Sequence, residues 1–307
     1  MQAPALRHAR APRPAPAAAR ARAGRALRPR LLCQAAGPGG APEDVQRAAA
    51  KLAVDATVRP GSVVGIGTGE MVNYAVEYLA QQAAKGALAG VVAVPSCALS
   101  ASEAAFQGLK MGRLEQYPKV DVFIEQVDQL DANANAFLKG LRAPAPGTQP
   151  DLPALSRLLG AAGAVVLLAD AADCVSGRLR AALPVAIDAE AWEECAEEID
   201  TIFLGDAEVW RRPAEGTSNP RGGDNPYVSP DGHAIVDVRF YEGLKLYGED
   251  ASYERIEAEV AAIPGVLATG LVVGRASLAV IADAERGPLA TPLQPTAAPA
   301  AAGGGGS

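Results

Sequence analysis

Apolar residues between positions 43 and 283 recur in two rhythms, one helical and one extended. Residues 42–58, "PEDVQRAAAKLAVDATV", are good helix formers, and Pro60-Gly61 then break the pattern. "SVVGIG" (62–67) is an apolar run bounded by glycines, which suits a buried parallel strand. Val72, Ala75, Val76 and Leu79 follow at i, i+3, i+4 and i+7, the apolar stripe of a helix facing a sheet. "GVVAVPS" (90–96) predicts a second strand. "SASEAAFQGL" (100–109) predicts a helix, with Ser100 and Glu103 at capping-box spacing. "VDVFIE" (120–125) is a third strand, "ALSRLLGAAG" (154–163) a helix and "AVVLLAD" (164–170) a fourth strand. Strands alternating with helices imply an α/β fold with a mostly parallel sheet.

The pattern changes near residue 186. A helix over 189–199 buries Trp192, Cys195 and Ile199, and "TIFLG" (201–205) reads as a strand. A polar loop over 211–226 leads to "HAIVDVRF" (233–240), a strand that sends Val236, Val238 and Phe240 to one face. Residues 251–263 form a helix that buries Tyr253, Ile256, Val260 and Ile263. "GVLATGLVV" (265–273) and "ASLAVIA" (276–282) read as two last strands. This order predicts a larger domain over 43–185 plus 270–284 and a small inserted α+β lobe over 186–269.

The two ends differ in composition from this body. Residues 1–36 carry arginines at 7, 10, 13, 20, 22, 25, 28 and 30 and no acid. They lack the apolar block of a secretory signal. Acid-free, Arg-rich N-termini read as organelle transit peptides. A basic tail that binds something acidic is the alternative, and the absence of Ser counts on its side. The Ala and Arg bias suits a plastid stroma, with a mature start near Ala35. Residues 285–307 are mostly Pro, Ala and Gly and are expected not to fold, because they bury too little to offset their ordering entropy.

The chain has 28 Lys and Arg against 35 Asp and Glu, a net charge of −7; without the eight arginines of 1–36 the balance is 20 against 35, or −15. An acidic body argues against nucleic acid and anionic membrane as partners. No run of eighteen apolar residues predicts a bilayer-spanning helix. Cysteines stand at 33, 97, 174 and 195 without C-x-x-C spacing, and the only histidines are His8 and His233, so no zinc site is predicted. The body cysteines read as small packed groups, with Cys97 as a redox target the alternative. His233, in "SPDGHA", reads as a turn residue.

The loop "GIGTG" (65–69) follows a strand and opens a helix. Exposed amides and the positive helix end make such a turn suited to phosphate. As a dinucleotide fingerprint it fails, because Glu70 stands where the last glycine belongs. The loop alone leaves a phosphate site and a plain turn equally open.

Several segments occurring in order resemble one family. "VVGIGTG" (63–69), "AVPSC" (93–97), "FIEQVDQLD" (123–131), "LKG" (138–140), "LLAD" (167–170), "LPVAI" (183–187), "PYVSPDGHAIVDV" (226–238) and "AAIPGVLATGLVVGRA" (261–276) are similar to the type A ribose-5-phosphate isomerases. The resemblance covers about 43–283 and implies a Rossmann-like sheet domain with a smaller inserted lobe. It implies an enzyme without metal or cofactor that interconverts ribose 5-phosphate and ribulose 5-phosphate, a sugar phosphate in a dimer or larger oligomer. A base removes a proton next to the carbonyl, through an enediolate. A carboxylate or lysine handles charge on the sugar oxygens. On this resemblance Gly67, Thr68, Gly69 and Glu70 form the phosphate loop, Ser96 and Cys97 lie near substrate, and Glu125, Asp128 and Lys139 are the remaining catalytic groups.

The departures lie where the chemistry sits. Glu70 and Met71 replace the family's Ser and Thr, and Gln126 and Val127 replace small residues. The glycine run after Lys139 becomes "GLRAPAPGTQP", with three prolines. The family's catalytic Glu falls on Leu158, and Asp173 stands where a cation belongs. Asp151, the only acid between Asp131 and Asp170, lies outside the motif. A carboxylate about 5 Å from a phosphate charge costs roughly 3 kcal/mol at an effective dielectric near 20. Glu70 therefore reads either as an internal anion at the helix start or as a solvent-facing first-turn residue. These losses leave three expectations: weak or lost isomerase activity, a non-catalytic protein that binds or regulates an active relative, or action on a small carbonyl compound without phosphate.

Overall fold

The computed structural model describes residues 40–215 and 225–296. The chain begins α1 (Glu43–Thr57), β1 (Val63–Ile66), α2 (Glu70–Ala84), β2 (Val92–Pro95), α3 (Ala98–Phe106) and β3 (Val120–Gln126). It continues β4 (Gln129–Asp131), β5 (Ala136–Leu138), α4 (Leu152–Ala161), β6 (Ala162–Asp170) and β7 (Leu183–Asp188). Then come α5 (Trp192–Ile202), β8 (Ala207–Arg211), β9 (His233–Phe240), α6 (Tyr253–Ala261), β10 (Val266–Thr269), β11 (Leu271–Val273), β12 (Leu278–Asp283) and β13 (Gly287–Pro292).

The main sheet has the order β13-β12-β6-β3-β1-β2, and all its pairings are parallel except β12 with β13. Its strands are covered on both faces, which is why they read as continuous apolar runs. Val64, Ile66, Val122, Ile124, Val166 and Leu168 pack under α1 and α2. Phe123, Val165, Leu167 and Ile281 point the other way and meet Leu155, Leu158 and Leu159 of α4. Four antiparallel strands, β10-β7-β9-β8, form a second sheet with α5 and α6 over its core. β11, β5 and β4 form a short third sheet. All three belong to one compact unit.

β1 sends its chain to β2 on one side, whereas β3 lies on the other. The carboxyl ends of β1 and β3 therefore flank a topological switch point, where open α/β sheets place their ligand crevice. Residues 67–69, 96–97 and 126–128 emerge there.

Several expectations need correction. Residues 287–292, expected in an unfolded tail, form an edge strand. Proline is tolerated on an edge, and Pro288 and Pro292 pair with Ala282 and Leu278. Asn135 ties the following residues down by donating to the Gln294 carbonyl at 2.9 Å. α3 starts two residues early: Cys97, not Ser100, is its N-cap, and the Ser100 hydroxyl accepts from the Cys97 amide at 3.2 Å. Residues 201–202 end α5, so the strand expected at 201–205 lies at 207–211. The run 265–273 divides at Gly270 into β10 and β11, which join different sheets. β4 and β5 are three residues each, too short for a periodic signal. The basic N-terminal segment, and residues 297–307 of the expected tail, lie outside the described residues.

Candidate active site

The glycine loop joins β1 to α2. Gly69 is the N-cap with φ at 130°, a conformation that favours glycine. Gly67 faces Glu125 so closely that a Cβ would fall 2.5 Å from the Glu125 carboxyl carbon. Internal oxygens take three amides of this turn, and the Gly67 amide donates to the Ile124 carbonyl at 2.9 Å. The Thr68 amide donates to Glu125 Oε1 at 3.0 Å. The Met71 amide donates to Gln126 Oε1 at 2.9 Å, so the Gln126 carboxamide caps α2.

Glu70 is not the internal anion. It is exposed and accepts from the Tyr74 hydroxyl one turn on, at 2.7 Å. The Arg47 guanidinium stacks 4.2 Å over that tyrosine ring. Of the two readings for Glu70, the structure places it in the solvent-facing one, and a different residue occupies the helix start.

Glu125 and Lys139 form a buried ion pair. Glu125 is 2% exposed, and Lys139 Nζ lies 2.9 Å from Glu125 Oε1. The same ammonium donates to the Thr68 carbonyl at 3.0 Å and to the Gln126 carbonyl at 2.6 Å. An ammonium has three protons, and these contacts account for all of them. Burial raises the Glu125 carboxyl above its ordinary range, against the opposing pull of Lys139.

Asp128 is committed elsewhere. Its Oδ2 accepts from the amides of Gly140 and Leu141 at 2.7 Å and of Arg142 at 3.3 Å. The segment that follows is held at both ends. Arg142 pairs with Asp173, and donates to its Oδ2 at 2.9 Å. Arg212, ion-paired with Asp237, donates to the Gly140 carbonyl at 2.9 Å and to Gln149 at 3.4 Å. Asp173, an acid where the resemblance expects a cation, thus has a basic partner in the rebuilt segment.

Thr68, Ser96, Cys97, Glu125 and Lys139 do line one cavity. Pro144, Pro150, Leu152 and Leu155 of the rebuilt segment and α4 fill its other side. What remains is about 20 Å³, space for roughly one water molecule. Leu158 is 3% exposed in the core under α4 and supplies no proton acceptor. Asp151 lines the cavity, and its Oδ1 accepts from the Ala154 amide at 2.8 Å as the N-cap of α4. Among the described residues no cluster of His, Cys, Asp or Glu could hold a metal ion, and no helix is long and apolar enough to cross a membrane.

Gln126, Arg142 and Arg212 carry roles that sequence reasoning did not assign. Only Gln126 left a signal, as a bulky residue where small ones belong.

The sequence profile of "Ribose 5-phosphate isomerase A (phosphoriboisomerase A)" matches residues 92–286. The chain belongs to that family. A ribose-5-phosphate isomerase A of Roseiflexus sp. is 32% identical over 74% of this chain and 88% of its own length. One from Gloeobacter violaceus is 30% identical over 83% and 98%. A relative from Arabidopsis thaliana, "Probable ribose-5-phosphate isomerase 3, chloroplastic", is 26% identical over 78% and 80%. Among solved structures, a D-ribose-5-phosphate isomerase in complex with phospho-erythronic acid superposes with a TM-score of 0.68 at 23% identity, over 81% of this chain and 98% of that one. The enzyme from Plasmodium falciparum gives 0.68 at 21%, with the same coverage. These structures share the fold, a mostly parallel α/β sheet.

Proposed function

We propose that this member of the ribose 5-phosphate isomerase A family does not turn over ribose 5-phosphate. The observation that carries this reading is how little room remains between Thr68, Glu125 and Lys139, about 20 Å³. Pockets for small ligands typically hold about 300–1,000 Å³. The catalytic groups support the same reading. Lys139 spends its protons on Glu125 and two carbonyls, Asp128 Oδ2 caps three amides, and Leu158 stands in place of the base. Loss of a positioned general base typically costs a factor of about 10² to 10⁴. So small a space disfavours a non-phosphorylated carbonyl substrate as well.

The test is a coupled assay of the purified chain with ribose 5-phosphate, beside the Roseiflexus relative. Turnover of this chain within tenfold of that control would end the proposal. Its retained fold and lost chemistry favour a non-catalytic role, in assembly with itself or with an active isomerase of the same compartment. Adding this chain should then change the rate or melting temperature of that isomerase. A plastid location rests on the basic, acid-free residues 1–36 and on the chloroplastic name of the Arabidopsis relative. A reporter fused after residue 36 should enter plastids, and a cytosolic reporter would contradict it.

A further inference from the structure

A second opening among the described residues shares Ser96 with the small cavity. It is a cleft of about 390 Å³ between the residue 112–115 loop and α4. The loop is fixed to β2, because the Gly112 amide donates to the Ala93 carbonyl and the Ala93 amide to the Lys110 carbonyl, both at 2.8 Å. Ala154, Arg157 and Leu158 fall on one face of α4 at i, i+3 and i+4 and form the opposite wall. The floor is apolar: Pro95, Leu114, Ala154 and Leu158.

Two arginines, Arg113 and Arg157, line this cleft. Some arginines of this acidic chain find carboxylates: Arg47 pairs with Glu43 and Glu77, Arg142 with Asp173, and Arg212 with Asp237, whereas Arg59, Arg178 and Arg275 donate to backbone carbonyls. Among the described residues neither Arg113 nor Arg157 has an ion pair or a side-chain hydrogen bond. Glu115 stands on the rim.

We propose that this cleft binds a small organic monoanion with an apolar body. Arg113 and Arg157 hold its charged group, because a guanidinium fork matches a carboxylate in geometry and charge. The apolar floor takes the rest of the molecule. Glu115 disfavours a second negative charge, which turns the site away from phosphate dianions. Leu158 is part of the reason the site can exist. The glutamate that the resemblance expects there would set a carboxylate against the bound anion.

The test uses the full chain, labelled with nitrogen-15, and follows the arginine Nε–H signals at low salt. Benzoate is the probe, benzamide its neutral counterpart, and inorganic phosphate the dianion. Benzoate should shift the Arg113 and Arg157 signals saturably, and benzamide and phosphate should bind at least about tenfold more weakly. Arg113→Gln and Arg157→Gln should each weaken benzoate about tenfold, while Arg286→Gln, on the distant β12–β13 turn, should not. Both arginines are exposed, so the variants should keep the wild-type amide spectrum. Equal benzoate affinity in wild type and the Arg113→Gln, Arg157→Gln double variant would overturn the proposal. So would equal affinity for benzamide, or shifts confined to residues 67–71. Saturable binding of a polyglutamate peptide without any benzoate response would assign the cleft to an acidic protein and overturn it too.

Discussion

The glycine loop, residues 65–71, and the segment from Lys139 to Leu158 face each other across the same cavity, and they are held in different ways. The loop is a tight glycine turn: Gly67 and Gly69 allow Glu125 and Gln126 to approach its backbone. Its amides meet internal acceptors, as Glu125 and Gln126 oxygens take the amides of Thr68 and Met71. The Lys139–Leu158 segment is held by side chains from outside it, with prolines in the cavity wall and clamps to Asp128, Asp173 and Arg212. On the proposed reading, a site of this kind is closed from the facing side while the glycine loop keeps its turn. The comparison also explains the lysine. Lys139 is a staple that joins the two regions through Thr68, Gln126 and Glu125.

The largest effect should come from cutting that staple. Lys139→Met leaves a buried carboxylate unpaired, and such losses cost about 3–5 kcal/mol. Urea titration at neutral pH should show it as a fall in midpoint. The deficit should depend on pH with a definite sign. Glu125 holds its proton more tightly in the folded protein than in the unfolded chain, so its contribution to stability falls as pH rises above the ordinary carboxylate range. Without Lys139 the folded carboxyl rises further, so the variant should be less impaired at pH 5 than at pH 8. A deficit independent of pH would mean that the lysine acts only by packing.

Asp128→Ala should come next. It removes a charged acceptor from the amides of Gly140, Leu141 and Arg142, worth about 1.5–3 kcal/mol. The loosened segment should become a site of limited proteolysis within 140–151. Unchanged proteolysis would place the segment's hold in Arg142 and Arg212 instead.

These contacts mark the limit of what was legible in the chain. The parallel sheet could be read because β1, β3 and β6 are buried on both faces over most of their length and so are largely apolar. β13 could not, since its composition, Gly-Pro-Leu-Ala-Thr-Pro, is that of a tail, and only pairing to β12 makes it a strand. In the site, the replacements at Glu70, Gln126, Leu158 and Asp173 could all be seen. Their directions could not. Glu70 turns outward to Tyr74, and Gln126 turns inward to Met71. Both choices depend on neighbours far from the loop in sequence or on the helix that follows it. Asp173 read as a charge reversal, but its partner lies in the rebuilt segment, 31 residues away.

Gln126→Ala should cost about 1 kcal/mol as a lost helix cap. It should also release the Met71 amide, so inorganic phosphate should raise the melting temperature of this variant more than that of wild type. An equal response would mean that the rebuilt segment alone closes the crevice. The smallest effect should be that of Glu70→Ser, about 0.3–1 kcal/mol from the lost first-turn charge. Its phosphate response should match wild type, because Glu70 faces solvent. A gain in phosphate binding would return Glu70 to the cradle.

Proton exchange tests the central claim most directly. An isomerase that forms an enediolate exchanges the sugar's C2 proton with solvent even when product is not released. Ribose 5-phosphate incubated with the purified chain in deuterium oxide, and followed by proton NMR, should keep its C2 proton at the rate seen without protein. Deuterium incorporation at C2 that follows protein concentration would contradict the account, since it would require both an open site and a working base.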